Sequence, residues 1–497
     1  MPLTKWQPPL PREHDEHRVT WLELFFDLVY VAALIQLGDR LADDITWKGV
    51  AAFAGVFVVL WWTWTGTTAF TNQFAVDDIT HRLLAFVQMS AVGNLALIAA
   101  TTPDNWRTWF VVAYLAARIP LLVMYWRAIR RGGASSGPIR MILGFFVASL
   151  VIWTLSLALP GDARYVAWAV GLGLEFLAPL IASRRYGTGL SHDEHLQERY
   201  ALFTIIVLGE TFVKTLTKIA DRGISVETQI LGGVGFFILI ALWWTYFDDV
   251  ADASIRTTSS LSKSLATNRI IWVYAHLPLA AGITAFGVSA KKVVGVETLS
   301  DYLKPNYAWL LVGTIAVVLV CVAVLDLVTA SPHYAIHAPE RVGPRVVAAV
   351  LLVGLGFFGA TKPNALLLIT LIAVVVVGQI AVEVIAAHKS EYRINRHVEG
   401  VIASTAGSCA HLDEVEPASA PHQRDCEACV ALGQEPVQMR YCLICGHAGC
   451  CDDTPGQHAR EHYEETGHAL IATLERGDDW AYCYIDDVSR PGFIEAN

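Results

Sequence analysis

The sequence predicts an all-α polytopic membrane protein of about 12 transmembrane helices, arranged as two parallel six-helix repeats and followed by a small α+β domain. Three observations lead there. Hydrophobic types make up 54% of the 497 residues and charged types only 16%, against about 25% charged in an average soluble protein. Apolar runs long enough to cross a bilayer recur from residue 21 to residue 386. Eight of the nine cysteines then fall between Cys409 and Cys483, where the chain also turns acidic. Residues 401–497 hold 17 acidic and 5 basic side chains and no lysine, leaving 29 acidic and 31 basic upstream. Two domains of different chemistry follow. Neither is basic enough to point to nucleic acid.

Taken in order, residues 1–20 are polar and Pro-rich and lack the pattern of an export signal. The apolar segments lie near 21–38, 49–70, 83–100, 106–126, 139–159, 165–181, 200–217, 230–247, 270–288, 307–328, 345–360 and 365–386. Each is long enough for one helix across the hydrocarbon core. An even number puts both ends on one side. Lys and Arg gather at 127–140 (Arg127, Arg130, Arg131, Arg140), 184–199 (Arg184, Arg185, Arg199) and 256–269 (Arg256, Lys263, Arg269). Lys389, Arg393 and Arg396 follow the last segment, whereas the loops near 101–107, 160–164 and 361–364 carry one basic residue each. The positive-inside rule places both ends in the cytoplasm. The loop with Lys291, Lys292 and Lys304 is the exception. Thiols in a reducing compartment read as metal ligands rather than disulfides.

Within 21–386 the chain repeats itself, roughly as 14–185 and 192–386. His14-Asp15-Glu16-His17 precedes the first segment as His192-Asp193-Glu194-His195 precedes the seventh. Leu60-Trp61-Trp62-Thr63 ends the second helix as Leu242-Trp243-Trp244-Thr245 ends the eighth. Arg82 and Arg269 open helices three and nine; Arg140 and Arg345 open helices five and eleven. Six is even, so the halves are parallel and related by an axis along the membrane normal, as in transporter folds.

Charges inside the spans are the candidate polar site. A charge at mid-bilayer costs at least roughly 2.5–3.5 kcal/mol, so it faces an interior, pairs, or lines a water-filled path. Glu210, Glu175 and Arg118 lie deep, and a structural pair of Arg118 with Glu175 or Glu210 competes with a transport role. Glu23 and Asp27 share one face of the first helix near the interface, where a solvated or snorkelling role competes, as it does for Asp248. His276 reads as packed with a hydrogen bond, with a proton relay as the alternative. For the two HDEH segments a headgroup role outweighs metal. Cys321, inside an apolar helix, reads as core.

After a polar helix-to-linker passage at 387–408 come Cys409, His411, Cys426, Cys429, Cys442, Cys445, Cys450, His458, His462, His468 and Cys483. Thiolate and imidazole at these short spacings suit tetrahedral zinc, which stabilises folds too small to rely on a core. No βαβ pattern frames either CxxC as a redox motif. No GxSxG elbow, Walker A loop or framed dinucleotide fingerprint is present, so nothing argues for an enzyme.

Two resemblances add to this reading. Arg18-Val19-Thr20-Trp21-Leu22-Glu23-Leu24-Phe25-Phe26-Asp27-Leu28-Val29-Tyr30-Val31 resembles the opening motif of the bacterial low temperature requirement protein A family. His195-Leu196-Gln197-Glu198-Arg199, with Ile206-Val207-Leu208-Gly209-Glu210, resembles that family's other signature. The resemblance covers about residues 15–390 and implies a polytopic protein of the bacterial inner membrane. Cys442-Leu443-Ile444-Cys445-Gly446-His447-x-Gly449-Cys450, with His458-x3-His462 and Glu465-Thr466-Gly467-His468, resembles the UBP-type zinc finger, here 409–488 with a tail at 489–497. This second resemblance implies a small α+β zinc-finger domain with two to three ions. Cys426, Cys429, Cys450 and His458 would hold one, and Cys442, Cys445, His462 and His468 another. Cys409, His411 and Cys483 would hold a third, with Asp486 where the family has Cys. Cys451 could substitute for Cys450. The family's finger grips a free Gly-Gly carboxy terminus with an aromatic and an Arg, where this chain has Arg440 and Asp452. Asp452 would repel a carboxylate unless Arg440 compensates, while Trp480 and Tyr484 suit a pocket wall. Two functions follow as expectations. The first is a permease for a solute not legible here, with a regulatory or docking finger. The second is a membrane-anchored scaffold whose finger binds a protein or peptide carboxy terminus.

Overall fold

In the computed structural model the described residues are 10–11, 19–75, 78–130, 136–186, 193–248, 254–255, 262–330, 338–405, 409–415, 425–432, 436–452, 454, 456–475 and 478–493. The chain separates into two compact units, 1–387 and 388–497. With no water to satisfy the backbone inside a bilayer, a helix is the economical way through for each apolar segment. Among the described residues twelve long helices form: α1 (Trp21–Asp43), α2 (Trp47–Gln73), α3 (Ile79–Thr101), α4 (Trp106–Arg130), α5 (Ser136–Leu155) and α6 (Ala163–Tyr186), then α7 (Asp193–Arg222), α8 (Val226–Phe247), α9 (Ser262–Val294), α10 (Pro305–Val328), α11 (Ala338–Ala360) and α12 (Ala365–Thr405). Short polar residues open several of them. Thr20 and Glu23 form a reciprocal capping box on α1, Thr46 and Asp78 cap α2 and α3, and Ser225 caps α8. Two-residue strands β1 (Leu10–Pro11) and β2 (Phe74–Ala75), and β3 (Ser254–Ile255) and β4 (Thr329–Ala330), pair across helix ends.

Among the described residues eleven of these helices are long and apolar enough to span a membrane, against about twelve expected. The helix left out is α7. It has 30 residues, but Arg199, Glu210 and Lys214 dilute its apolarity. Those side chains are tolerable because α7 packs against α1, α2, α8 and α9. The polar stretch expected as a linker after residue 387 continues α12 as helix to Thr405. Large aromatics fill the bundle. Trp62 stacks on Phe176 at 3.9 Å, Trp153 lies parallel to Trp168 at 5.2 Å, and Trp64 meets Phe203 at 4.2 Å. The two LWWT segments differ in place and environment. Leu60–Thr63 lies mid-helix, because α2 runs on to Gln73, and its tryptophans are buried. Trp243 and Trp244, in the last turns of α8, are 43% and 46% exposed. Cys321 is buried in α10.

The carboxy-terminal unit holds α13 (Ala410–Glu414), α14 (Glu427–Leu432), α15 (His458–Thr466) and one antiparallel sheet. Its strands are β5 (Met439–Cys442), β6 (Ala448–Cys450), β7 (Leu470–Thr473), β8 (Ala481–Cys483) and β9 (Val488–Arg490), in the order β6-β5-β7-β8-β9. Arg440 stands opposite Gly449 and Thr473, and Ile471 opposite Tyr482. A Cβ at Gly449 would lie 2.7 Å from the Ala459 backbone nitrogen, so α15 rests directly on β6. Gly467, at φ +74°, then ends α15 in the left-handed conformation that glycine adopts cheaply. The apolar core is small, chiefly Leu412, Tyr441, Leu443, Leu470, Ala472 and Ala481. Such a core needs staples.

Candidate metal centres and buried ion pairs

The staples stand where the sheet and its flanking helices meet. Cys426 and Cys429 flank and enter α14, Cys450 ends β6, and His458 opens α15. Their Sγ atoms lie 3.3, 3.3 and 3.2 Å from one atom, His458 Nδ1. One ring nitrogen does not hydrogen-bond three thiols at once. A tetrahedral zinc with its usual bond lengths puts sulfur and nitrogen about 3.5 Å apart, so these near-equal separations fit a shared central ion. All four residues are buried. Burial and the neighbouring thiols Cys426 and Cys450 push the Cys429 thiol up to about 12. A cation brought beside Cys429 would offset that burial and favour its thiolate.

Cys442, Cys445, His462 and His468 form a second group. Cys445 Sγ lies 3.3 Å from His462 Nε2, and His468 Nδ1 is buried without a hydrogen bond among the described residues. Burial, then His447 and His468 beside it, hold the His462 imidazole below its ordinary value, which keeps a lone pair available. Cys409, His411, Cys483 and Asp486 converge as a third group that is half exposed. It is less regular, with His411 Nδ1 2.9 Å from Asp486 and 3.9–4.0 Å from the two sulfurs. The Asp486 oxygen completes the set. Cys451 does not replace Cys450. Its sulfur lies 3.6 Å from Thr454 Oγ1 and it lines a neighbouring cleft.

That cleft, of about 290 Å³, is lined by Arg440, Asp452, Trp480 and Tyr484 together with Tyr482. Arg440 lies 4.5 Å over the Trp480 ring and donates to Gln438 at 2.5 Å. Arg440 therefore does not compensate Asp452. Arg460 does, through hydrogen bonds of 2.5 and 3.0 Å to the Asp452 carboxylate. Tyr484 donates to the other Asp452 oxygen at 3.3 Å.

In the helical unit the deep charges are paired. Arg118 on α4 binds Glu175 on α6, and the Tyr114 hydroxyl donates to Glu175 at 2.7 Å. Of the two partners weighed for Arg118, the fold selects Glu175. Glu210 sits instead 3.5 Å from Lys214, one turn along α7. The Arg118 guanidinium lies on the α2 backbone, where a Cβ at Gly66 would come within 2.8 Å of Nη1. Glu23 and Asp27 are buried rather than solvated. Arg199 on α7 bonds Glu23 at 3.0 Å and Asp27 at 2.5 Å, and Trp64 Nε1 donates to Asp27 at 2.7 Å. His195 is likewise buried, 3.2 Å from Asn72 and 3.6 Å from Glu23, rather than at a headgroup. His14–His17 and His192 lie outside the described residues. His276 hydrogen-bonds the Trp272 carbonyl at 2.7 Å and the Tyr246 hydroxyl at 3.0 Å, a packed histidine. Asp248 is exposed at the end of α8.

Sequence reasoning missed several partners. Arg199 and Lys214 were within reach, each four residues along the helix face from a residue already singled out (His195 and Glu210). Arg127 on Asp78, Arg345 between Asp326 and Glu383, and Arg460 on Asp452 left no periodic signal, being brought together by folding alone.

The bacterial low temperature requirement A protein model matches residues 18–381. That for the zinc finger in ubiquitin-hydrolases and other proteins matches residues 426–491. The chain is similar to the uncharacterized protein RA0937 of Rhizobium meliloti (strain 1021), 33% identical over 286 residues, 55% of this chain and 69% of that one. It is also similar to protein RPA1320 of Rhodopseudomonas palustris, solved by solution NMR. There the identity is 34% over 18% of this chain and 91% of that one, with a TM-score of 0.17.

Removing one member of a buried pair leaves a stranded charge, so Arg118→Met lowers stability by about 3–5 kcal/mol. Thermal unfolding of the detergent-solubilised protein reads this, and Arg118→Met combined with Glu175→Met recovers most of the loss. The metal groups yield a second expectation. Cys426→Ser and Cys442→Ser each remove one zinc ion, as counted by elemental analysis, because they belong to separate groups. Loss of all zinc from either single variant would show one shared site.

Proposed function

The chain belongs to the bacterial low temperature requirement A family, and from that premise we propose that it is a secondary transporter of the bacterial inner membrane. Both termini face the cytoplasm. Counting α7 with the eleven apolar helices gives an even number, and the Arg-rich loops set the side. Segments 21–386 form the transport unit as two six-helix halves. The neighbour relations support this: α1 packs on α3, α3 on α4 and α4 on α5, as α7 packs on α9, α9 on α10 and α10 on α11.

One observation carries the reading. The first helix of each half meets the other through buried charge, with Arg199 of α7 on Glu23 and Asp27 of α1. Further along α7 stand Glu210 and Lys214, with the buried Phe203 and Val207 between the two polar groups. An anchor needs no such seam. Polar groups at both ends of an inter-half contact, separated by an apolar stretch, are what a gated path requires. The finger, residues 409–488, holds two to three zinc ions in the groups described and serves as a cytoplasmic regulatory or docking module. The lipid bilayer is the partner of the helices.

The cleft of Arg440, Asp452, Trp480 and Tyr484 favours a second reading, a membrane-anchored scaffold whose finger binds a protein or peptide carboxy terminus. Asp452 is already neutralised by Arg460, which lessens its repulsion of a carboxylate.

Two measurements separate these readings. Glu210→Gln abolishes pH-dependent flux in proteoliposomes while the protein still inserts and folds. Flux and growth equal to the parent would turn the balance to the scaffold. Peptides ending in free Gly-Gly are retained weakly by the full-length protein, and Asp452→Arg improves retention if the cleft is otherwise formed. Tight retention by the parent, lost in Trp480→Ala, would favour the scaffold.

A further inference from the structure

The loop that breaks the positive-inside pattern builds a cavity. Lys218 of α7, Lys291 and Lys292 of α9, and Lys304 before α10 line a cleft of about 490 Å³ with Tyr307. Two acids, Glu297 and Asp301, also line it. Asp301 is committed to the loop, accepting from the Thr298 backbone at 2.8 Å. Lys291 has Asp39 of α1 at 3.5 Å. Arg222 ties the same loop down by donating to the carbonyls of Val294, Val296 and Glu297. The wall is therefore fixed by hydrogen bonds, and its lysines exceed its acids.

Lys292 and Lys304 both reach the Tyr307 ring, their Nζ atoms 5.4 and 5.5 Å from its centroid. Two ammonium groups gathered on one ring repel each other unless a counter-charge joins them. From Lys218 the basic line continues inward at helical spacing to Lys214 and then Glu210. Lys214 is only 6% exposed, and its Nζ stands 3.5 Å from Glu210. It lies where a Cβ on Gly38 of α1 would come within 2.4 Å. The loops near 101–107, 160–164 and 361–364 carry one basic residue each, so this lysine cluster runs against the orienting pattern.

We propose that this cleft binds a small phosphate-bearing anion at the outer end of the bundle, with Lys214 as the next station inward. Lysines suit the task, because a compact point charge on a flexible stem binds an oxyanion without locking it in a bidentate clamp. The binding step stands on the cleft alone, whereas its role as the substrate entrance rests on the transport reading.

The test uses the full-length protein in nanodiscs of zwitterionic lipid, titrated calorimetrically with inorganic pyrophosphate. Saturable binding is expected, weakening as salt rises. The double variant Lys292→Gln with Lys304→Gln weakens it about tenfold or more. Lys48→Gln, exposed at the start of α2 and outside the cleft, leaves it unchanged. A second set of discs contains phosphatidylglycerol. If this lipid displaces pyrophosphate from the parent, the phosphate-binding site stands and its occupant is a headgroup. Absence of saturable pyrophosphate binding in both discs overturns the proposal, as does equal loss in Lys48→Gln. Binding in a protein whose flux assays are silent keeps the cleft and removes only the transport reading.

Discussion

Arg199 reaches from α7 to Glu23 and Asp27 on α1, and the arrangement of the helical unit depends on compensation of this kind. In a medium of low dielectric an unpaired ion is the most expensive thing a helix can carry. Each buried arginine described therefore stands against a carboxylate on another helix. Arg118 finds Glu175, and Arg345 finds Asp326 and Glu383. Such pairs add little net stability over apolar packing, but they fix which helix faces which and at what depth. Helices that slide freely in lipid are held in register by them. Gly66 shows the constraint reaching the backbone, since the arginine occupies the space a side chain would take.

The carboxy-terminal unit solves a different shortage. Its sheet has strands of three or four residues and a handful of apolar side chains. Donor groups converge instead at three places around that sheet, two of them with sulfur–nitrogen separations of 3.2–3.3 Å. Metal ligation supplies the cohesion a larger protein would draw from its core. The aromatic cleft lies on the same sheet, whose strands also carry the donor residues Cys442 and Cys483.

Charge in this chain is thus used in three ways. Buried pairs set the bundle, the Asp452–Arg460 pair shapes the finger's cleft, and four lysines from α7, α9 and the turn before α10 line a cleft with two acids. Lys218 of that cleft and the Lys214–Glu210 pair share one face of α7, the helix that also carries Arg199.

The sequence by itself determined the membrane class, the long helices and the finger's candidate ligands. Hydropathy sums along consecutive residues, and CxxC or HxxxH places donors through local backbone geometry, so both signals are short-range. It also misled where local reading was the only guide. His195, near the end of an apolar run, reads as a headgroup contact, and Glu23 and Asp27 leave a solvated role open beside an interior one, yet the fold closes over all three. What only the tertiary structure decided is pairing. Arg199 and Asp27 are 172 residues apart, and Arg118 and Glu175 are 57 apart. Nothing in either segment names the other, because the Coulomb energy that selects a partner depends on distance in space and on the water excluded around it.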